Sequence, residues 1–438
     1  MAGEWPSIPV SQVAVAVIGG TPSRSVAEYW GGDIPWATAK DVAAVSGRYL
    51  EHVEECITSE GLENSAAKLL PKGTVVITAR GTVGAVAQLG RAMAFNQTCY
   101  ALLPTDAVDN EFLFYALKGT IAEMRALTYG TVFETITTQT FDHWLIPLPP
   151  LPEQRAIAHI LGTLDDKIEL NRRMSETLEE MARALFKAWF VDFEPVRAKM
   201  EGRWRRGQSL PGLPAHLYDL FPDRLVESEL GEVPEGWGVV SLPDLIEVNP
   251  NRPLRKGEVA PYLDMSNMPT RGHAPDQVIE RPFGSGMRFI NGDTLVARIT
   301  PCLENGKTAF VDFLEDGQVG WGSTEYIVLR PKPPLPEEFG YCLARSEAFR
   351  EFAIQSMTGT SGRQRVQADS LAHFKLVQAP SAVAEAFGRL VKPLFARSSQ
   401  AIRESCTPAA LRDALLPKLI SGELRVRDAE RFLKERGL

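Results

Sequence analysis

One segment, Ile146-Pro-Leu-Pro-Pro-Leu-Pro-Glu-Gln-Arg-Ala-Ile157, decides the fold because it marks the start of a long helix. Proline is favoured at the first position of a helix, and an acidic residue in the first turn is stabilised by the helix dipole. We expect this helix to cover residues 153–193, since Pro195 disfavours helix at the residue before it. At 1.5 Å per residue it is about 60 Å long.

The predicted helix carries an apolar stripe with the four-three spacing of a coiled coil, which requires a partner helix. Its positions are Ile157, Leu161, Leu164, Ile168, Asn171, Ser175, Leu178, Ala182, Leu185 and Trp189, with a polar centre. A second apolar series over residues 381–420 ends before Gly422, and glycine is a common helix stop. We therefore expect an intramolecular pair of helices. Pro393 and Pro408 predict a kink in the second helix or its division into two pieces.

An internal repeat with a period of roughly 220–230 residues indicates a duplicated domain. Each half contains a glycine turn and a strand that ends on an arginine, then a strand stopped by proline. Next comes a helix that is followed by a Gly-Thr pair. The last landmark is a proline that is followed by a long helix. In this alignment Arg80 corresponds to Arg298, and Tyr100 to Tyr326. Short strands alternating with helices predict a mixed α/β (α+β) fold.

Composition restricts the classes of function. The chain has 438 residues and a formal net charge of -8, and residues 1–150 hold 9 Lys and Arg against 15 Asp and Glu. Any nucleic-acid contact must therefore come from basic residues gathered on one face. Five scattered cysteines indicate neither a disulfide framework nor a zinc site. Without a leader or an apolar run of about 18 residues, we expect a cytoplasmic protein that contacts no membrane.

Motifs of catalysis are missing from the sequence. It contains no phosphate-binding glycine loop, no zinc-protease motif and no complete amino-methyltransferase loop. The adjacent acids Asp165-Asp166 and Glu179-Glu180 are expected on a solvated helix face, because neighbouring helical residues point about 100° apart. We therefore expect no catalytic residue, no metal site and no cofactor. The basic stretch over residues 197–206 is interpreted as either a solvated linker or a phosphate contact.

Several segments resemble the specificity subunits of type I restriction-modification systems, in order and over nearly the whole chain. They are Gly20-Thr-Pro-Ser, Tyr29-Trp-Gly-Gly-Asp-Ile-Pro-Trp36, the opening segment, Leu161-Gly-Thr-Leu-Asp-Asp-Lys-Ile168, Ala188-Trp-Phe-Val-Asp-Phe-Glu-Pro-Val-Arg197, Phe221-Pro-Asp, Gly231-Glu-Val-Pro-Glu-Gly-Trp237 and Leu411-Arg-Asp-Ala-Leu-Leu-Pro-Lys-Leu-Ile-Ser-Gly-Glu423.

The resemblance implies two target-recognition domains related by pseudo-twofold symmetry and separated by a long antiparallel coiled-coil pair. The implied division is residues 1–150 and 229–380 for the domains, 151–194 and 381–424 for the helices, 195–228 for a linker and 425–438 for a tail. It also implies double-stranded DNA, two methyltransferase subunits and restriction or motor subunits as partners. S-adenosylmethionine, ATP and magnesium would belong to those partners.

Loops are expected to read the DNA, because arginine suits guanine and glutamine suits adenine in the major groove. The candidate DNA-binding residues are Lys40, Arg80, Thr131, Arg298, Arg363, Gln364 and Arg365. The last three lie in a loop without acids. Any of them could hold a phosphate instead of a base.

Two other classes of function stay open at this stage. The chain could be a stand-alone DNA methyltransferase or nuclease, which S-adenosylmethionine binding by the pure chain would reveal. It could also be a coiled-coil scaffold whose domains bind something other than DNA. Salt-dependent binding to duplex DNA separates the scaffold from the specificity subunit.

Overall fold

A computed structural model describes residues 5–45, 47–129, 135–360 and 362–434. The chain forms two compact units. Unit 1 consists of Met1–Leu170 and Ser405–Leu438, and unit 2 consists of Asn171–Glu404. Two long helices each contribute one part to unit 1 and the other part to unit 2.

Unit 1 is built from short strands and short helices. The strands are β1 Ser7–Pro9, β2 Ala14–Ile18, β3 Trp30–Ala37, β4 Tyr49–Leu50, β5 Glu55–Ile57, β6 Val75–Thr78, β7 Val86–Leu89, β8 Ala94–Phe95, β9 Cys99–Pro104 and β10 Leu145–Pro147. The helices are α1 Val10–Val13, α2 Ala39–Ala43, α3 Ser59–Glu63, α4 Asn110–Gly119, α5 Ile121–Tyr129 and α6 Thr138–His143, followed by the long α7 Leu151–Phe190.

Unit 2 repeats the same kinds of element. Its strands are β11 Leu225–Ser228, β12 Gly231–Pro234, β13 Gly238–Ser241, β14 Ile246–Val248, β15 Val259–Leu263, β16 Ile279–Pro282, β17 Met287–Phe289, β18 Thr294–Ala297, β19 Thr308–Phe310, β20 Gly320–Gly322, β21 Tyr326–Pro331, β22 Met357–Thr358, β23 Arg365–Val366 and β24 Lys375–Gln378. The helices are α8 Glu194–Met200, α9 Leu242–Leu245, α10 Glu337–Arg345, α11 Glu347–Gln355 and α12 Ala368–Leu371, followed by α13 Ser381–Ser421. The last helix, α14 Val426–Lys434, belongs to unit 1.

The sheets of the two units correspond. The main sheet has the order β2-β9-β6-β7-β4 in unit 1 and β14-β21-β18-β19 in unit 2. A second sheet has the order β5-β3-β8 in unit 1 and β16-β15-β20-β17 in unit 2, and each contains one parallel pair. Each unit also has a two-stranded antiparallel sheet, β1-β10 in unit 1 and β13-β24 in unit 2. The prediction of a duplicated mixed fold with a long helix pair is confirmed.

Backbone pairing corrects the alignment of the two repeats by one residue. Thr78 pairs with Cys99 in unit 1, and Ala297 pairs with Tyr326 in unit 2. Cys99 therefore occupies the position of Tyr326, so the sequence alignment of Tyr100 with Tyr326 is wrong. The sequence alignment matched the two tyrosines, which lie one position apart in the structure. Both strands begin as buried apolar runs, so no polar residue defines the register there.

The two long helices pack antiparallel. At the start of α7, Ile157 and Leu161 share a core with Leu419 near the end of α13. At the other end of α7, Trp189 shares the core of unit 2 with Phe387, near the start of α13. Helix α7 ends three residues before the predicted end at 193, and Pro195 lies in the first turn of α8 instead of simply terminating α7.

Helix α13 is continuous over 41 residues, so the expected division at its prolines does not occur. Pro393 lies between Val391 and Phe395, which are both buried in the core of unit 2. Burial of such side chains contributes about 1.5–3 kcal/mol each, which offsets the roughly 3 kcal/mol cost of a proline within a helix.

The glutamine of the opening segment has a defined structural role. The Gln154 side chain is buried, and its Oε1 accepts a hydrogen bond from the Asp109 backbone N–H at 2.8 Å. Its Nε2 donates to the carbonyl oxygens of Pro149 at 2.8 Å and Ala107 at 3.1 Å. Gln154 therefore ties the start of α7 to the loop that caps α4.

The linker and the tail expected from the sequence are both folded. Within residues 195–228, Trp204 is buried and packs on Phe221, and the segment contains most of α8 and all of β11. The basic residues form ion pairs, with Arg197 bound to Glu232 at 3.4 Å and further pairs of Arg203 with Glu194 and Arg206 with Asp219. The segment is folded, although Arg203, Arg205 and Arg206 are exposed, and the ion pairs leave little charge for a phosphate. In the tail, Val426 and Ala429 of α14 are buried in the core of unit 1.

The expectation that both pairs of acids on α7 are solvated is wrong for one member of each pair. Asp165 and Glu179 are buried, whereas Asp166 and Glu180 are exposed. In unit 1 the Tyr115 hydroxyl on α4 donates to Asp165 at 2.7 Å, and Arg412 on α13 donates to the same carboxylate at 2.8 Å.

Unit 2 repeats this contact with different residues. The Tyr341 hydroxyl on α10 donates to Glu179 at 2.8 Å and receives a hydrogen bond from Arg345 at 3.0 Å. Burial raises the pKa of Tyr115 and Tyr341 well above the usual value, so both phenols remain donors. In each unit, a tyrosine thus fixes the domain to a carboxylate of α7.

The centre of the helix pair is polar, as the sequence predicts. Ser175 of α7 and Ser398 of α13 lie with their Oγ atoms 2.6 Å apart. Asn171 is buried, and within the described residues its amide has no hydrogen-bond partner.

Among the residues that the structure describes, no helical segment combines the length and the hydropathy of a membrane span.

We predict that the substitutions Tyr115→Phe and Tyr341→Phe each lower the free energy of unfolding by about 1.5–3 kcal/mol, because each removes a hydrogen bond to a buried carboxylate. Urea denaturation followed by circular dichroism measures the effect. Tyr29→Phe is the matched control, since no hydrogen bond of the Tyr29 hydroxyl is found within the described part of the chain, and it should change little. Equal stability of all three variants would show that the tyrosine–carboxylate contacts do not fix the domains to α7.

Candidate nucleic-acid interface

Three segments meet at one edge of the main sheet in each unit. In unit 1 they are the turn after β6 (80–84), the turn before β9 (96–98) and the segment before α6 (135–136). The Ala79 N–H donates to the Thr98 carbonyl at 2.7 Å, and the Ile136 N–H donates to the Ala79 carbonyl at 3.1 Å. We call this edge loop edge 1.

Loop edge 2 of unit 2 has the same construction from residues 298–307, 323–325 and the described part of 359–366, which is 359–360 and 362–366. The Arg298 N–H donates to the Glu325 carbonyl, and the Val366 N–H donates to the Arg298 carbonyl, both at 2.9 Å. Arg298 therefore occupies the position of Ala79, one residue before Arg80. Thr300 exchanges hydrogen bonds with the backbone of Gln364 at 2.9–3.1 Å.

The structure brings four predicted contacts together at loop edge 2, namely Arg298, Arg363, Gln364 and Arg365. It also adds an acid that the sequence did not reveal. The Arg365 guanidinium binds the Glu325 carboxylate through Nε at 2.9 Å and Nη2 at 2.8 Å. This hydrogen bond raises the pKa of Arg365 further, so the guanidinium stays charged.

Arg298 completes this cluster. Its Nη2 donates to Gln367 Oε1 at 2.8 Å, and its Nε lies 4.0 Å from the Glu325 carboxylate. The segment 359–368 has no acid of its own, but Glu325, directly before β21, compensates the charge of Arg365. Glu325 corresponds to the uncharged Thr98 of unit 1. The internal repeat therefore gives no indication of an acid at this position.

Two arginines remain free to contact a ligand. Arg363 at loop edge 2 and Arg80 at loop edge 1 are exposed, and neither forms an ion pair with any described residue. Gln364 is half-buried with its backbone fixed by Thr300. Arginine and glutamine held on a hydrogen-bonded backbone can present paired donors and acceptors to base edges or phosphates.

The other two candidates in unit 1 are placed differently. Lys40 lies on α2, and its ammonium forms an ion pair with Glu54 at 2.5 Å. Glu54 directly precedes β5 and does not belong to the segments of loop edge 1. Thr131 lies outside the described residues. Arg80 is therefore the predicted contact that the structure places at loop edge 1.

Comparison with known proteins addresses the family. Residues 3–180 match the family described as type I restriction modification DNA specificity domain. The chain is 28% identical over 441 residues to the type I restriction enzyme MjaIX specificity subunit of Methanocaldococcus jannaschii, covering 97% of this chain and 94% of that protein. Over nearly its whole length the chain is therefore similar to type I restriction-modification specificity subunits.

Two further proteins are similar to the chain. It is 24% identical to the HindI specificity subunit of Haemophilus influenzae, over 72% of this chain and 77% of the relative. The crystal structure of the type I restriction-modification S subunit from M. genitalium has the same fold. It aligns with a TM-score of 0.53 at 16% identity, over 95% of this chain and 96% of that chain.

The double substitution of Arg363 and Arg365 by alanine should relax the base preference of one half of the DNA target. Loss of a base-reading pair costs about 1–3 kcal/mol per residue. Glu325→Gln should keep Arg365 and Arg298 but release their orientation, so that non-specific affinity rises while discrimination falls. Binding to randomised duplexes, selected and sequenced at two salt concentrations, measures both effects. An altered salt dependence with an unchanged base preference would assign these arginines to phosphates.

Proposed function

We propose that this specificity subunit recognises a bipartite DNA sequence, with loop edge 1 reading one half and loop edge 2 the other. The observation that carries the proposal is the duplicated edge itself. In both units the same hydrogen-bond pattern fixes three segments at the end of the central strand. The side chains on this common frame differ between the units, so the two edges are suited to different base sequences.

The seven candidate residues have different parts in this proposal. Arg363, Arg80 and Gln364 are the proposed base readers, because they combine exposure or partial exposure with a fixed backbone. Arg298 and Arg365, oriented by Glu325, provide a second layer that contacts either a base or a phosphate. Lys40 and Thr131 are retained as proposed DNA contacts of unit 1.

The helix pair is proposed as the spacer between the recognition domains at 1–150 and 229–380. The antiparallel α7 and α13 each contribute to both units, so helix length would set the separation of the half-sites. The buried Ser175–Ser398 contact fixes the register between the helices.

The subunit is non-catalytic and directs other proteins to the DNA. We propose that two methyltransferase subunits bind it, one for each repeat, because a duplicated unit offers two similar docking surfaces. Restriction subunits would join the full complex. S-adenosylmethionine, ATP and magnesium would be used by these partners, and the complex would act in the cytoplasm, where its DNA lies.

Binding to duplex DNA, measured at several salt concentrations with the methyltransferase partner present, tests this function. Neutralisation of phosphates by basic residues makes the affinity fall steeply as salt rises. An affinity for duplex DNA that is absent, or independent of both salt and sequence, would contradict the proposal and favour a scaffold without DNA function.

The spacer makes a separate prediction. Insertion of four residues beside Asn171 in α7, together with four after Glu404 in α13, lengthens the pair by about 6 Å and nearly restores the apolar face. With a DNA rise of about 3.4 Å per base pair, the gap in the target should grow by one or two base pairs. Sequencing of methylated sites measures the gap. Changed half-site bases, or an unchanged gap, would show that the helices are not the spacer.

A further inference from the structure

A second basic surface lies on unit 2, outside the three segments that form loop edge 2. It is formed by the sheet β16-β15-β20-β17 and the loop before β15, and we call it the basic aromatic face. Its cations are Arg255, Lys256, Arg281 and Arg288, and its rings are Tyr262, Phe283 and Trp321. None of these residues is among the DNA contacts predicted from the sequence.

Aromatic rings orient the arginines of this face. The Arg281 guanidinium carbon lies 4.8 Å from the centre of the Tyr262 ring and 5.8 Å from that of Trp321. Arg288 lies 5.9 Å from the Phe283 ring and donates from Nη2 to Asn251 at 3.1 Å. A guanidinium on a ring face keeps its N–H groups for a ligand and is only weakly hydrated.

The loop that contains Arg255 and Lys256 is held against the same rings. The Gly257 N–H donates to the Phe283 carbonyl at 2.8 Å, and the Phe283 N–H donates to the Glu258 carbonyl at 2.7 Å. Both basic side chains are exposed. The loop cations Arg255 and Lys256 thus lie beside Phe283, and Arg281 and Arg288 lie on β16 and β17 of the same sheet.

These four cations differ from most other basic residues of unit 2 because none forms an ion pair with a described residue. The arginines of 197–224 are largely neutralised by acids. Three acids lie beside the face. Glu258 accepts a hydrogen bond from the Arg255 backbone N–H at 3.1 Å, and the Asp264 carboxylate accepts one from the Tyr262 hydroxyl at 3.0 Å. The third acid is Glu280 on β16. Four cations against three acids still leave a positive excess on a chain whose net charge is -8.

The corresponding sheet of unit 1 lacks such a surface. There Arg24 stacks on Trp30 with a separation of 3.7 Å, but Glu55 binds both terminal guanidinium nitrogens, at 2.5 and 2.7 Å. The stacking of an arginine on a ring is therefore common to both units, whereas the uncompensated charge is found in unit 2.

The face is continuous with loop edge 2. The Tyr326 hydroxyl at the start of β21 donates to the Leu263 carbonyl at the end of β15 with a distance of 3.1 Å. The other end of β15, Val259, pairs with Pro282 beside Phe283. Five residues of strand span about 13 Å, or roughly four base pairs of duplex.

We propose that the basic aromatic face binds the phosphate backbone of the duplex next to the half-site read at loop edge 2. The ligand is a phosphodiester and not an unstacked base, because Trp321 is buried and Tyr262 is half-buried, so their faces are not available for stacking. The four cations position the DNA and carry no sequence information. This inference rests on the proposed DNA-binding function.

The test replaces all four cations by glutamine in R255Q/K256Q/R281Q/R288Q. The matched control R197Q/R203Q/R206Q/R224Q removes the same formal charge from ion-paired positions. Affinity for duplex DNA is measured across salt concentrations with the methyltransferase partner present. Each lost phosphate contact should reduce the slope of log affinity against log salt by about 0.9, so the test variant should lose about 2 to 4 in slope and the control little.

The outcomes separate the two proposals. If the unchanged protein binds DNA and both variants have the same slope, the basic aromatic face is not a phosphate contact, although the proposed function stands. If the unchanged protein shows no salt-dependent DNA binding, the proposed function itself fails. A change in the methylated target sequence in the test variant would overturn the phosphate assignment, because it would show that these residues read bases.

Discussion

The structure depends on the burial of one apolar stripe along each of two helices about forty residues long. Neither helix can keep its stripe from water alone, and each finds the other within the same chain. The start of α7 is buried with the end of α13 in unit 1, and the end of α7 with the start of α13 in unit 2. Both domain cores therefore include part of the helix pair. A change in the helix pair thus affects the packing of each domain against it.

Buried polar contacts make this packing specific. Asp165 and Glu179 would be costly to bury alone, but each accepts a hydrogen bond from a tyrosine of the adjacent domain. The Ser175–Ser398 contact adds a register mark at the centre. Because an apolar seam tolerates sliding and these contacts do not, they define where each loop edge is held relative to its own part of the helix pair.

The sequence predicted the elements that depend on periodicity and missed those that depend on tertiary partners. The long helices follow from proline placement and the four-three spacing, and the duplication follows from ordered landmarks. The depth of Asp165 was not predictable, because Tyr115 approaches it from fifty residues away. The same limit applies to Glu325, whose contact with Arg365 spans forty residues, and to the basic segment after α7, whose acids lie in later elements.

The central claim is that two differently equipped loop edges on one helix pair read a split DNA sequence. Methylome sequencing of the host with the gene deleted and then restored tests it most directly. One bipartite motif, with two specific half-sites and a gap of fixed length, should lose its methylation on deletion and regain it on restoration. An unchanged methylome in a strain with an active methyltransferase partner, or loss of a continuous motif without a gap, would show that the two loop edges do not read a split sequence.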